Sequence, residues 1–374
     1  MSSYSWILYG ANGYTGRLIA REAVRRGLRP VLAGRSKEAI ERLAAELGLE
    51  ARVLALDDPE RLRRALGEAR AVLHCAGPFT RTSRPMVEAC LLAGVHYLDI
   101  TGEIAVLERI YAHHLDAESA GTVLLPAVGF DVVPTDCLAD RLARSLPDAD
   151  SLELAFFTRR GSASPGTLKT LVEGFPRAGA IRRDGKLVPV PIAFEAKEIP
   201  FSCGTRWTMS IPWGDLSSAY RSTGIPNIRV YTGAPRRRIG RLRRLAPVLP
   251  LLGTRPVRRA LQWWIGRAVP GPGPEERRQA RTYLWGRVRR ADGESRTATL
   301  ETPEGYSFTA TSAVECLTRV LAGAVPPGAW TPSQAFGPGF AGELPGVIEG
   351  EVRPGPPSQA LHLEAATAPG DRHR

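Results

Sequence analysis

Gly10, Gly13 and Gly16, in the run Gly10-Ala-Asn-Gly13-Tyr-Thr-Gly16, have the spacing of a turn that brings backbone close to a phosphate. Gly10 allows the tight turn, Gly13 a close approach to a pyrophosphate, and Gly16 close packing of a helix on the preceding strand. The free N–H groups at that helix start face the phosphates, so the whole turn, with Ala11, Asn12, Tyr14 and Thr15, is expected to contact a cofactor. Where a binder of NAD carries Asp or Glu about twenty residues after the glycines, this chain has Gly34-Arg35-Ser36. Arg35 suits a ribose 2′-phosphate, with Ser36 beside it, which makes NADP(H) the expected cofactor. The GxxGxxG spacing alone is a weak signal that a glycine turn in another α/β fold could also give. A strand before it and a helix after it strengthen the reading.

Further candidates follow later strands, where an open α/β sheet holds its ligands. Asp57, after the third strand, is grouped with the cofactor contacts, as are Ala76, Gly77, Pro78 and Phe79 after the fourth. Cys75-Ala-Gly-Pro-Phe79 can form a flat wall beside a nicotinamide ribose, or it is an ordinary strand-ending turn. In Tyr97-Leu-Asp99-Ile-Thr101-Gly102-Glu103, Asp99 or Glu103 can orient a substrate or relay a proton. The competing role is capping, with Thr101 or Gly102 as the cap and Glu103 in the first turn of the next helix; for Glu103 capping is preferred. Asp131 and Asp136, in Gly129-Phe-Asp131-Val-Val-Pro134-Thr-Asp136, either border an interdomain cleft or satisfy backbone groups around a proline-initiated helix. Asp99 and Asp131 are the catalytic candidates.

Other chemistries lose their residues on inspection. None of the nine tyrosines is followed four positions later by Lys, which removes the short-chain dehydrogenase mechanism. His113-His114 lacks partners at ligand spacing and His74 lies in an apolar strand, so no metal site is expected. Neither a GxSxG nor a Walker lysine is present.

The elements that must position these residues alternate. Strands are expected at 4–9, 30–34, 52–56, 71–76, 96–99 and 122–125, with helices to about 26 and over 36–47, 59–66, 83–93 and 103–119 between them. That alternation implies an α/β fold, a Rossmann-like doubly wound parallel sheet. After a helix over 134–145, strands at 151–157, 187–190, 207–211, 227–231, 282–288 and 296–300 imply a second, α+β domain of mixed or antiparallel sheet. The expected units are a nucleotide domain over 1–135 and a substrate or dimerisation domain over 136–308. A helix over 309–322 opens a segment, 309–349, that can return to the first domain. Residues 350–374, rich in Pro, Gly and Ala, are expected to be a disordered tail.

The chain has 374 residues, and its 43% hydrophobic content allows two packed domains. Its five cysteines lack CxxC spacing and read as reduced thiols, and with no signal-peptide pattern a cytoplasmic location is expected. No apolar run reaches the roughly 18 to 20 residues that span a bilayer. The net charge of +12 is carried by one segment, with 17 arginines against four acidic residues between Arg236 and Arg296. A nucleic-acid surface spread over the protein is therefore not expected. Residues 236–270 mix Arg with Leu and Trp. They read as an interfacial element for a membrane surface, a flap over the cleft or a partner subunit, or a packed helix pair with a solvated basic face. Pro247 and Pro250 break any single long helix there.

Taken together these residues resemble the saccharopine dehydrogenase-like superfamily and, within it, the trans-acting enoyl reductase-like branch. The resemblance rests on the glycine turn, Ala33-Gly-Arg35-Ser36, Cys75-Ala-Gly-Pro-Phe79, Ala89-Cys90-x-x-Ala93-Gly94-Val-His-Tyr-Leu-Asp99-Ile-Thr-Gly102-Glu103, and Gly129-Phe-Asp131-Val-Val-Pro134-x-Asp136. Tyr283-Leu-Trp285-Gly, Thr302-Pro-Glu-Gly305-Tyr306 and Thr331-Pro332 leading to Phe336-Gly337 extend it over roughly residues 4 to 346. It implies an NADP-binding Rossmann domain, an α/β partner domain and reductase chemistry. The expected activity is NADPH-dependent reduction of an activated C=C bond in a hydrophobic or carrier-linked, lipid- or polyketide-type substrate. The alternatives are a saccharopine-type C=N reductase, for which Arg159, Arg160, Arg182 and Arg183 are available, and a non-catalytic lipid-surface protein. A homodimer and peripheral membrane contact are compatible with the sequence.

Overall fold

The run from Trp6 to Tyr9 is wholly buried, as a central strand covered on both faces requires, and it forms the end of β1 (Tyr4–Tyr9). The computed structural model describes residues 4–174, 179–246 and 254–355. β1 is followed by α1 (Tyr14–Arg25), β2 (Val31–Gly34), α2 (Lys37–Leu47), β3 (Glu50–Val53) and α3 (Pro59–Leu66). Next come β4 (Ala69–His74), α4 (Phe79–Ala93), β5 (His96–Asp99), α5 (Ile104–Ala112), α6 (His114–Ser119) and β6 (Val123–Leu125). The chain then runs through α7 (Val133–Ser145), β7 (Ser151–Arg159), α8 (Pro165–Gly174), β8 (Gly179–Arg183), β9 (Lys186–Val190), β10 (Ala196–Phe201) and β11 (Gly204–Ser210). It continues with α9 (Asp215–Thr223), β12 (Asn227–Gly233), α10 (Arg236–Leu245), α11 (Arg255–Ala268), α12 (Pro274–Gln279), β13 (Arg281–Arg289) and β14 (Ser295–Pro303). Last are α13 (Gly305–Leu321), β15 (Gly328–Ala329), α14 (Pro332–Phe336), β16 (Ile348–Glu349) and β17 (Arg353–Pro354).

The first sheet has the order β15-β6-β5-β4-β1-β2-β3 and every pairing is parallel. β1 lies between β2 and β4, so the winding reverses there and opens a crevice beyond the carboxyl ends of β1 and β4. The second sheet runs β10-β11-β12-β7-β13-β14-β16, and it is mixed because β12 pairs β7 in parallel while its other pairings are antiparallel. The α/β class and the mixed second sheet are those the sequence implies. α13 leaves the second sheet and packs on α1, where Arg26 of the loop after α1 pairs with Glu315 at 2.8 Å.

Some elements differ from the sequence reading. The third strand ends at Val53, ahead of the expected 56, and the helix expected over 103–119 breaks at His113 into two. β10 was not foreseen because Lys197, Glu198 and Pro200 read as loop; it occupies a sheet edge, where Pro and charge are tolerated. Residues 350–355 run beside β14, whereas the rest of the expected tail, 356–374, lies outside the described residues, as do 247–253 of the basic segment.

A buried ion cluster ties the second sheet together. Glu153 on β7 accepts from Arg287 of β13 at 2.6 Å and pairs with Lys197 of β10, and Tyr231 of β12 points its hydroxyl at the same carboxylate, 3.3 Å away. Burial alone would raise the Glu153 carboxyl, but Lys197 and Arg287 outweigh it and hold it below its ordinary range. Removing one member strands the others in low dielectric. Glu153→Leu is therefore expected to cost about 3–5 kcal/mol, measured as a lowered urea midpoint; a midpoint at the wild-type value would show that the cluster is energetically neutral.

Candidate cofactor and active site

At the end of β1 the chain turns through Gly10 in the left-handed region, with φ of +80°. A Cβ there would stand 2.7 Å from the amide nitrogen of Ala76, so the turn after β1 and the turn after β4 touch through a position that admits only glycine. Gly10 donates to the carbonyl of Ala33 at 2.8 Å, and Gly13 donates back to Gly10 at 3.0 Å. Gly13 is the N-cap of α1 and no side chain caps it, which leaves first-turn N–H groups aimed at the crevice. Ala11 is buried, Asn12, Tyr14 and Thr15 are half-buried around the turn, and Gly16 is buried under it.

Arg35 follows the last residue of β2 and is exposed, with no hydrogen bond or ion pair among the described residues. Ser36 is the N-cap of α2 with extended backbone, and its hydroxyl makes no cap bond. A free guanidinium, a free hydroxyl and an uncapped helix start thus converge at one place, a donor set that fits a phosphate. Asp57 is exposed too, since Asp58 and not Asp57 caps α3 by accepting from Arg61 at 3.0 Å. The Tyr9 hydroxyl registers both charges: burial pushes it up to about 12, Arg35 pulls down and Asp57 pushes up.

The opposite wall is Cys75 to Phe79. Thr82 donates from Oγ1 to the Ala76 carbonyl at 2.6 Å, and the same oxygen lies 3.0 Å from Nε2 of His74. Burial lowers His74 to about 3, so it is a neutral spacer under the turn. Glu103 precedes α5, yet its carboxylate accepts from the amides of Phe79 at 2.7 Å and Thr80 at 2.9 Å. It therefore caps α4, a helix distant in sequence, and this is why α4 begins at Phe79 where position 83 was expected. Thr101 fills the local role by accepting from the Glu103 amide at 3.1 Å.

The two catalytic candidates have unlike surroundings. Asp99 is fully buried and accepts from the Tyr97 hydroxyl at 2.7 Å, the Ala127 amide at 2.8 Å and the Thr101 amide at 3.0 Å. Burial pushes it up to about 6 against those three bonds, and it pins the end of β5 to the chain leaving β6. Asp136 is likewise buried, accepting from Ser222 at 2.7 Å and the Ser333 amide at 2.8 Å. Asp131 is only half-buried, and among the described residues no donor reaches its carboxylate. Burial raises that carboxyl to about 7. A Cβ on Gly102 would lie 2.5 Å from its Oδ2, so the glycine keeps the space the carboxylate occupies.

Around Asp131 stands a wall that the sequence reading did not name as a site. Phe130 packs edge-on to Phe156 and Phe308, Phe156 lies 5.0 Å from the Trp213 ring, and Trp213 donates to the Asp131 carbonyl at 2.8 Å. The Tyr306 ring stands edge-on to Tyr14 at 5.0 Å, and its hydroxyl accepts from the Ser164 amide at 2.6 Å. Burial above all, with the Asp131 charge adding to it, raises the Tyr306 hydroxyl. Tyr14 in turn donates to the Pro272 carbonyl at 2.6 Å, which joins the glycine turn to the second sheet's connections. The only signal for Tyr306 was its place in Thr302-Pro-Glu-Gly305-Tyr306. Among the described residues no three His, Cys, Asp or Glu side chains cluster as a metal would need.

Comparison with known proteins fits this geometry. The saccharopine dehydrogenase NADP binding domain family matches residues 6–125. A trans-acting enoyl reductase of Mycobacterium leprae is 36% identical over 156 residues, 40% of this chain and 37% of its own. A probable mitochondrial saccharopine dehydrogenase-like oxidoreductase of Arabidopsis thaliana is 35% identical over 153 residues, 36% of this chain and 33% of its own. A trans-acting enoyl reductase of Mycobacterium bovis is 34% identical over 201 residues, 50% of this chain and 48% of its own, so the chain spans about half or less of the curated relatives it matches. The apo saccharopine dehydrogenase (L-Glu forming) of Saccharomyces cerevisiae shares the fold over 94% of this chain and 100% of its own, with a TM-score of 0.63 at 13% identity. Residues 6–125 thus match an NADP-binding domain family, and over part of its length the chain is similar to trans-acting enoyl reductases and to a saccharopine dehydrogenase-like oxidoreductase.

Proposed function

We propose that the protein is an NADPH-dependent reductase of an activated C=C bond in a hydrophobic or carrier-linked acyl substrate. The observation that carries this reading is Asp131, a carboxyl with no hydrogen-bond donor among the described residues, raised to about 7 beside an apolar aromatic wall. The first-turn N–H groups of α1 hold the pyrophosphate, and Arg35 with Ser36 holds the 2′-phosphate. NADPH supplies, when bound, the hydride and its electron pair to the carbon β to the activating carbonyl. Protonated Asp131 gives its proton to the α carbon and is left as the carboxylate, which regains a proton from water. Phe130, Phe156 and Trp213 exclude water from the apolar chain, and Asp99 positions the backbone from which Asp131 projects.

The names of the Mycobacterium relatives support the C=C reading. An imine reductase must instead grip several carboxylates with free cations. Arg182 does not serve: it is buried and already donates to Glu108 and to the carbonyls of Leu216 and Gly185.

Two outcomes test the assignment. Arg35→Ala is expected to weaken NADPH binding about tenfold or more, about 1.4 kcal/mol, while leaving NADH affinity unchanged in a fluorescence titration. Equal losses for both cofactors would remove Arg35 from the 2′-phosphate. Because the acid must be protonated to donate, wild-type kcat should fall as pH rises through about 7. Asp131→Asn should lower kcat by roughly 10²–10⁴-fold and abolish that limb with little change in NADPH affinity. Unchanged kcat in this variant would contradict the role.

A further inference from the structure

α10 carries six exposed arginines, at 236, 237, 238, 241, 243 and 244, and no acidic residue. Its last residue, Leu245, is 55% exposed. On α11, Ile265 is buried and Leu261 half-buried on the inner side, and the helix packs on α8. Val257, Trp264 and Ala268 lie on the same helical face as Leu261 and Ile265 yet are exposed, so that apolar face is covered only in part; Ala260 is exposed at its edge, and Trp263 is exposed on the neighbouring face between Arg259 and Arg267. Trp263 is 62% and Trp264 57% exposed, and the Arg267 guanidinium lies 4.3 Å from the centre of the Trp263 ring. Two neighbouring indoles in water, flanked by Arg259 and Arg267 on a helix without a carboxylate, form an apolar stripe with a cationic border.

This stripe adjoins the crevice. α8 starts beside Ser164, which donates to Tyr306, and the chain leaving α11 reaches Pro272, which accepts from Tyr14. We propose that α10 and α11 dock the protein on an anionic phospholipid bilayer, with the indoles at the boundary between headgroups and acyl chains and the arginines on lipid phosphates. The charge is complementary to such a surface, and Trp and Arg are the side chains that sit at its depth. Among the described residues no helix is long and apolar enough to cross a membrane, so the element lies on the bilayer. Docking there sets the mouth of the crevice against the lipid, from which an apolar substrate enters; this last step rests on the reductase reading.

Vesicle flotation of the full chain tests the proposal. Vesicles containing phosphatidylglycerol should carry the protein at least about tenfold better than phosphatidylcholine alone, with loss at high salt. Trp263→Ser with Trp264→Ser, and separately Arg237→Gln with Arg241→Gln and Arg244→Gln, should each reduce flotation about tenfold while NADPH binding, measured on the same samples, stays intact. No flotation with anionic vesicles, or equal flotation of wild type and variants, overturns the proposal. Capture by an acidic carrier protein without vesicle binding would assign the stripe to a protein instead. Vesicle binding combined with failure to reduce any enoyl thioester would sink the reductase reading and leave the docking surface standing.

Discussion

The contact between the turns after β1 and β4 governs the rest of the site. Because a side chain at Gly10 would collide with the Ala76 backbone, the two strand ends approach until their turns share one wall. That approach creates the crevice at the reversal of strand order and fixes where α1 begins. It also sets Tyr14 where the second sheet's connections reach it, through Pro272 and Tyr306. The opposite wall depends on it in turn, since Cys75 donates to the Tyr9 carbonyl at 2.8 Å and Glu103 holds the next residues from below. Each later interaction refines a geometry already imposed by a missing side chain.

The acidic residues divide by what surrounds them and not by what they are. Asp99 ends β5 and Asp131 lies in the chain leaving β6 of the same sheet, and both are raised by burial. Asp99, however, accepts three hydrogen bonds, and hydrogen bonds to a charged group contribute about 1.5–3 kcal/mol each. Those bonds hold its carboxylate in place. Asp131 has no such commitment, and Gly102 leaves it room, which is why the proposed reaction draws its proton from there.

The glycine turn, Arg35 and the strand alternation were legible in the sequence because each follows a local rule: glycine where the backbone must turn, and an apolar run for every buried strand. The mixed second sheet was legible only as a class. β10 hides behind Lys197, Glu198 and Pro200, which suit an edge and resemble a loop. Glu103 and Tyr306 were hidden for a different reason. Their partners, the α4 amides and Tyr14, come near only after folding, and no periodicity records such a contact. The preference for capping at Glu103 names the right chemistry on the wrong helix. Asp99 and Asp131 looked equivalent because burial and donors cannot be read from a strand-ending motif.

The central claim is that this crevice moves a hydride and a proton onto a carbon–carbon double bond. The most direct test follows NADPH absorbance with a long-chain 2-enoyl thioester and, separately, with amino acid and oxo-acid mixtures, and identifies the product by mass spectrometry. Steady NADPH oxidation with formation of the saturated thioester is the result the account predicts. Oxidation only with an amino acid plus an oxo acid, yielding a secondary amine, would contradict it.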